Sequence, residues 1–188
     1  MISKNGTSEQ KQKHLVPLLK MDKICSYCLT EPGSGSDAAA LATKAVRTNE
    51  GYKLSGTKAF TSGGGYSDLY IVMARSGVPG AKGISAFLVQ DGLDGLTFGK
   101  KEQKMGWKAQ PTAQVEFNEC LVESYDLLGE EGRGFNYAME GLDGGRLNIA
   151  AAALGGAQQA LNIALDYTNS RVAFGRTLNK FQSLQFRL

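Results

Sequence analysis

The pattern of apolar residues changes its period once along this chain, near Gly132, and the change divides what the two sides can fold into. From Ile24 to about Val122, apolar and β-branched residues come in short runs, as at Leu69 to Ala74, Ile84 to Val89 and Gln114 to Phe117. Turn residues such as Asn49-Glu50-Gly51, Ser55-Gly56-Thr57 and Gly77-Val78-Pro79-Gly80 break these runs. Short runs between glycine-bearing turns predict strands joined by hairpins, and so an antiparallel sandwich or barrel of roughly 100 residues. Beyond Phe135, Leu147, Ala150, Ala151, Leu154, Ala157, Leu161, Ala164 and Leu165 fall on one face at helical spacing. That spacing predicts a long amphipathic helix that ends near Asn169 and Ser170. Gly141, Gly144, Gly145, Gly155 and Gly156 would each cost it up to about 1 kcal/mol relative to alanine, so tight packing or a closely approaching ligand is expected to compensate. Leu178 to Leu188 predicts a second helix.

Ahead of the β region, Thr7 followed three positions later by Gln10 fits a capping box, opening a short helix over residues 7 to 20, through Leu15 and Leu18, that Pro17 soon ends. The expected organisation is therefore α+β in three pieces. Residues 1–23 read as the end of a helical domain, 24–130 as a β domain, and 131–188 as the start of a helical bundle. Only the middle piece looks whole, so the chain is expected to be a fragment.

Composition narrows the function classes. A net charge of +3 from scattered basic residues gives no reason to expect nucleic acid, and Lys100, Lys101 and Lys104 read as a solvated loop. No run approaches the ~20 apolar residues that cross a bilayer. Three cysteines make no disulfide framework. Cys25 and Cys28 lie three apart on a predicted strand and so face opposite sides, which favours packing over a redox pair; no metal site is expected, because Cys120 and His14 stand at no zinc-like spacing. His14, the single histidine, is expected at a solvated helix position.

Two glycine-rich stretches carry the chemistry. In Tyr27-Cys28-Leu29-Thr30-Glu31-Pro32-Gly33-Ser34-Gly35-Ser36-Asp37, Pro32 forces Glu31 to be extended and ends the strand. Gly33 and Gly35 permit unusual backbone angles, and Thr30, Ser34 and Ser36 supply hydroxyls. Exposed backbone N–H groups without bulky side chains suit a pyrophosphate. Gly33 to Ala38 also matches the G-x-G-x-x-A of nicotinamide-binding units, but the runs that follow look like hairpins rather than a return to a parallel strand. The second stretch, Lys58-Ala59-Phe60-Thr61-Ser62 with Gly63 to Gly65, places an aromatic ring and hydroxyls before a glycine turn, as a flavin site would need.

Together with Gly106-Trp107, Gly132-Arg133-Gly134-Phe135 and Arg171 to Gly175, these stretches resemble the acyl-CoA dehydrogenases over roughly residue 6 to the last. Gly99 to Trp107, Gln110-Pro111-Thr112 and Gly141 to Arg146 look most like the branch acting on isobutyryl-CoA. The resemblance implies a helical domain, a β domain and a four-helix domain, with FAD held between the last two and across a subunit contact. It implies that Tyr27 to Ser36 line the flavin and that Phe60, Thr61 and Ser62 meet its ring. Ser36, Asp143, Gly144, Gly145 and Arg146 would contact the acyl-CoA, while Arg171, Phe181 and Gln182 would reach the FAD of a partner subunit. Phe60 stands where the family usually has tryptophan, and Ser62 where it has threonine. The base that removes the α-proton is a glutamate in the family; one of its two positions is Gly145 here, so the base is expected beyond Leu188, with Glu130 and Glu140 merely solvated. The resemblance further implies electron-transfer flavoprotein as electron acceptor, a homotetramer and a mitochondrial matrix location, while this piece alone is expected to be inactive. The alternatives are another short-chain acyl-CoA dehydrogenase or a non-catalytic module that binds FAD or a partner.

Overall fold

The computed structural model describes residues 1–188, which divide into two compact units, Met1–Gly141 and Leu142–Leu188. In the first, β1 (Cys25–Cys28), β2 (Lys44–Arg47), β3 (Gly51–Ser62), β4 (Leu69–Arg75), β5 (Ile84–Gln90), β6 (Leu96–Phe98), β7 (Thr112–Glu123) and β8 (Leu127–Leu128) build one sheet. Its order is β6-β7-β3-β2-β4-β5-β8, with β1 paired to β4. The hairpin neighbours are antiparallel as expected, whereas β1 lies parallel to β4, and β2 meets β4 in parallel only at Lys44 and Arg75.

The sheet closes around one core. Tyr52 and Leu54 of β3, Tyr70 and Val72 of β4, Phe87 and Val89 of β5, and Val115 and Phe117 of β7 share it with Cys28 of β1. Tyr52 and Phe87 meet edge to face at 5.0 Å. Full burial of such side chains contributes about 1.5–3 kcal/mol each, so this cluster is what makes the curled sheet stable. β4 and β5 are buried on both faces, which is why they read as continuous apolar runs rather than alternating ones.

Several local expectations change. Ser55-Gly56-Thr57 does not break a strand: β3 runs straight through it, and the irregularity is a bulge opposite Leu54 and Gly56, where Glu119 of β7 takes a φ of 50°. Gly56 is required there by contact, because a Cβ would lie 2.7 Å from Thr43 Cα. The same bulge joins the Gln114 and Cys120 runs into one strand, and β6 was not foreseen. The capping box is present, with Gln10 N donating to Thr7 Oγ1 at 3.1 Å and Thr7 N to Gln10 Oε1 at 3.0 Å. The helical segment ends at Leu19, two residues past Pro17. After α1 (Ile2–Asn5) and α2 (Ser8–Gln10), a π-helical turn at Lys11–Leu15 leads into α3 (Val16–Leu19), and the looser turn accommodates the proline ring near the start of α3. His14 lies on that turn and is buried rather than solvated, with Nε2 unpartnered. Burial, followed by the charges of Lys13 and Lys23, pushes its pKa below the usual value.

The long helix α4 (Gly134–Ser170) runs unbroken through all five of the interior glycines. In the second unit, Leu147, Leu154 and Ile163 on this helix are exposed. Beyond it, β9 (Val172–Ala173) and β10 (Arg176–Thr177) form a hairpin turned by Phe174 and Gly175, both with positive φ. The expected second helix shrinks to α5 (Gln182–Gln185), because Phe181 is extended and Asn179 accepts through its carbonyl from Gln185 Nε2 at 2.8 Å, folding the segment into turns.

Candidate flavin site

After β1 the chain leaves the sheet in a tight turn. Glu31 and Ser34 exchange backbone hydrogen bonds of 2.9 and 3.2 Å around Pro32-Gly33, and Ser34 Oγ donates to Asp37 O at 2.6 Å. Neither Gly33 nor Gly35 adopts the left-handed angles expected of them, and a Cβ at either would meet nothing within 4 Å. The missing side chains therefore leave an open surface rather than permit a strained backbone. Pro32, Gly33, Gly35 and Ser36 are exposed and Thr30 is half-buried, so this edge is free to receive a ligand.

Beneath the loop lies a buried ion pair. Lys58 Nζ, wholly inaccessible on β3, donates to Glu31 Oε1 at 2.7 Å and to Leu29 O at 3.1 Å. The Glu31 carboxylate also accepts from Ala42 N at 2.6 Å and Thr43 N at 2.9 Å. Burial alone would raise the Glu31 pKa, but the hydrogen bonds from Lys58, Thr43 and Ala42 outweigh it and hold the carboxyl below its usual range. Burial likewise depresses Lys58, with Glu31 offsetting part of the effect. Removing one partner of such a pair costs on the order of 3–5 kcal/mol. Glu31 thus serves the loop from inside, and its carboxylate is not a ligand contact. The same holds for Cys28, whose fully buried thiol is pushed up to about 12 by desolvation, and for the buried Leu29.

On β3 a second bulge decides which side chains face out. Between Lys58 and Thr61 the register with β7 slips by one residue, and Phe60 takes a φ of 54°. Simple alternation would send Lys58, Phe60 and Ser62 to the same face. The bulge instead sends Lys58 and Thr61 inward and leaves Phe60, 66% exposed, and Ser62 facing out. Thr61, expected to touch the ligand, instead points its Oγ1 at Cys28 Sγ, 3.7 Å away. Ala59 N donates to Thr30 O at 2.7 Å, tying the bulge to the loop. One surface thus carries an exposed ring, the Ser62 hydroxyl, and a loop edge bearing the Thr30 and Ser36 hydroxyls. A cavity of ≈ 500 Å³ beside Gly63, lined by Ile24, Tyr66, Ser67 and Pro111 among others, adjoins its end.

This arrangement fits a flat heteroaromatic group with a polar edge. The ring is exposed in a backbone conformation that phenylalanine rarely adopts, Gly33 and Gly35 face open space, and the Tyr27 hydroxyl is buried without a partner. Lys58 was part of the sequence motif, but its role was missed. The signal was available in strand parity, since a lysine in phase with Tyr52 and Leu54 must face inward and needs a buried acceptor.

The second unit carries the remaining candidates. Asp143, Gly144, Gly145 and Arg146 form one turn of α4, exposed except at the half-buried Gly145, with Arg146 Nε 3.9 Å from Asp143 Oδ1, and a Cβ at either glycine would meet nothing within 4 Å. No packing in this chain accounts for that glycine pair. Phe181 sits between Phe174, centroid to centroid 6.3 Å, and the Arg176 guanidinium, 4.2 Å from its ring, while Arg171 and Gln182 are exposed.

Known proteins match this chain along its whole length. The profile of the acyl-CoA dehydrogenase middle domain matches residues 26–120, and that of the acyl-CoA dehydrogenase C-terminal domain matches residues 132–188. The chain is 51% identical over 188 residues to mitochondrial isobutyryl-CoA dehydrogenase of Bos taurus, covering 100% of this chain and 45% of that protein. It is 45% identical over 189 residues to the short-chain specific acyl-CoA dehydrogenase of Clostridium acetobutylicum, covering 100% and 50%. The solved structure of butyryl-CoA dehydrogenase from Megasphaera elsdenii matches with a TM-score of 0.95 at 46% identity, over 99% of this chain and 49% of that one. The chain spans about half the length of the relatives it matches.

Proposed function

Because this chain belongs to the acyl-CoA dehydrogenase family, we propose that it forms the flavin-facing part of an enzyme that introduces a Cα–Cβ double bond into a short branched acyl-CoA, isobutyryl-CoA. The observation that carries this reading is the β3 bulge, which turns Phe60 and Ser62 outward beside the open Thr30 to Ser36 edge. When bound, FAD would accept the hydrogen that leaves Cβ as hydride. The protein's part is to bind and orient. Phe60 would lie against the flavin ring, the Ser62 and Thr30 hydroxyls would hydrogen-bond its polar edge, and Gly33 and Gly35 would let the backbone approach. Ser36 would also touch the thioester, Asp143 and Arg146 would hold the CoA portion, and Gly144 and Gly145 would leave room for the branch methyl. Arg171, Phe181 and Gln182 would reach the FAD of a neighbouring subunit in a homotetramer.

The α-proton acceptor is not assigned to the carboxylates near these sites. Glu31 is committed to Lys58, and Glu140 lies 3.3 Å from Lys4. We propose no base among residues 1–188, and we propose that these residues alone do not turn over. Electron-transfer flavoprotein is the proposed acceptor and the mitochondrial matrix the proposed location. Short straight-chain acyl-CoA is the second reading, supported by the bacterial short-chain relatives.

The test is anaerobic mixing of the full-length flavoprotein with isobutyryl-CoA and, separately, butyryl-CoA. Faster flavin bleaching by isobutyryl-CoA is expected. Preference for butyryl-CoA would favour the second reading, and no bleaching by either would overturn both.

A further inference from the structure

We propose that the buried Lys58–Glu31 pair is a positioning latch, which holds the Leu29–Ser36 loop in fixed register with Phe60 and Ser62. The proposal rests on the flavin reading above.

Three consecutive loop residues are bound to two consecutive residues of β3. Lys58 Nζ takes Leu29 O and Glu31 Oε1, and Ala59 N takes Thr30 O. The next residue on β3 is Phe60, at the bulge. The Glu31 carboxylate also accepts from Thr43 N on the same Oε1 and from Ala42 N on Oε2, where the loop rejoins the sheet before β2. One carboxylate therefore ties the chain leaving the loop to the strand that carries the exposed ring. Nothing but Ala59 separates the anchor from Phe60.

A fully buried ammonium is a poor choice for stability alone, since a well-packed apolar side chain of similar volume avoids the desolvation. Its merit is direction. Charge-assisted hydrogen bonds are short and fix position more sharply than apolar contact does. The pair also lies on the inner side of the sheet, out of a ligand's reach, so it acts only through the groups it places.

Hydrogen exchange on the flavin-free full-length protein tests the latch without any substitution. The amides of Ala42, Thr43 and Ala59 should exchange as slowly as those of β4. Rapid exchange that slows only when FAD is added would overturn the proposal, because the flavin would then be ordering the loop. A second arm uses Lys58→Met/Glu31→Gln, which leaves no unpaired buried charge. This variant should melt near the wild-type temperature, bind FAD roughly tenfold more weakly and alter the visible flavin spectrum. Wild-type affinity and spectrum in that variant would overturn the latch. Failure of the wild type to bind FAD would instead sink the flavin reading, and the exchange of the three amides would still decide whether the loop is held.

Discussion

Phe60 combines two features that a phenylalanine in a strand normally avoids, a left-handed backbone and a largely exposed ring. The conformation costs on the order of 1–3 kcal/mol, so glycine there should relieve strain while removing the ring. We predict that Phe60→Gly leaves the melting temperature unchanged or raised and weakens FAD binding up to about tenfold, the scale of one aromatic contact. A drop in melting temperature with unchanged flavin affinity would make the residue structural. At His14 the expectation concerns pH. Its folded pKa lies below the ordinary 6.5, so the unfolded chain takes up the proton first as pH falls. Stability should be full above about pH 6.5 and decline below it through the folded value. His14→Gln should flatten that slope in denaturant titrations at stepped pH; an unchanged slope would assign it to other groups.

Elements were legible in the sequence where one period dominated. The runs at Leu69 and Ile84, the Asn49-Glu50-Gly51 hairpin and the long helix could be read because each depends on local pattern. The two bulges could not, since one is a residue that β7 gains against β3 and the other a residue that β3 gains against β7, strands far apart in sequence. Thr61 was misplaced for that reason, and Phe60 faces outward only because of it. His14 was misplaced because burial on a short polar helix depends on what the rest of the chain lays over it. In α4 the glycines were expected to be offset by tight packing or by a closely approaching ligand, and within this chain a Cβ at Gly144, Gly145, Gly155 or Gly156 meets only open space. Gly155→Ala/Gly156→Ala should therefore stabilise residues 1–188 by roughly 1–2 kcal/mol in thermal unfolding. A loss of stability would mean that an unseen contact already uses those positions.

At the scale of the whole molecule, the sequence resembles its family through separated motifs, and the fold draws two of them together. The loop at Tyr27 to Ser36 and the bulge at Phe60 meet through Ala59 and Lys58. Gly144 and Gly145 belong to the second unit, and the proposed role for them is substrate choice. In the full-length enzyme, Gly145→Val should lower kcat/KM for isobutyryl-CoA more than for butyryl-CoA, by a factor corresponding to about 1–3 kcal/mol. Equal losses on both substrates, at normal flavin content, would return the glycine to a packing role.

We propose that the outward face of the β3 bulge and the neighbouring loop edge are the flavin surface. A crystal structure of the full-length protein grown with FAD addresses it most directly. The flavin ring is expected against Phe60 with Ser62 Oγ in hydrogen-bond reach of its polar edge, while Lys58 and Glu31 remain paired beneath. A flavin bound elsewhere, with Phe60 still open to solvent, would contradict it.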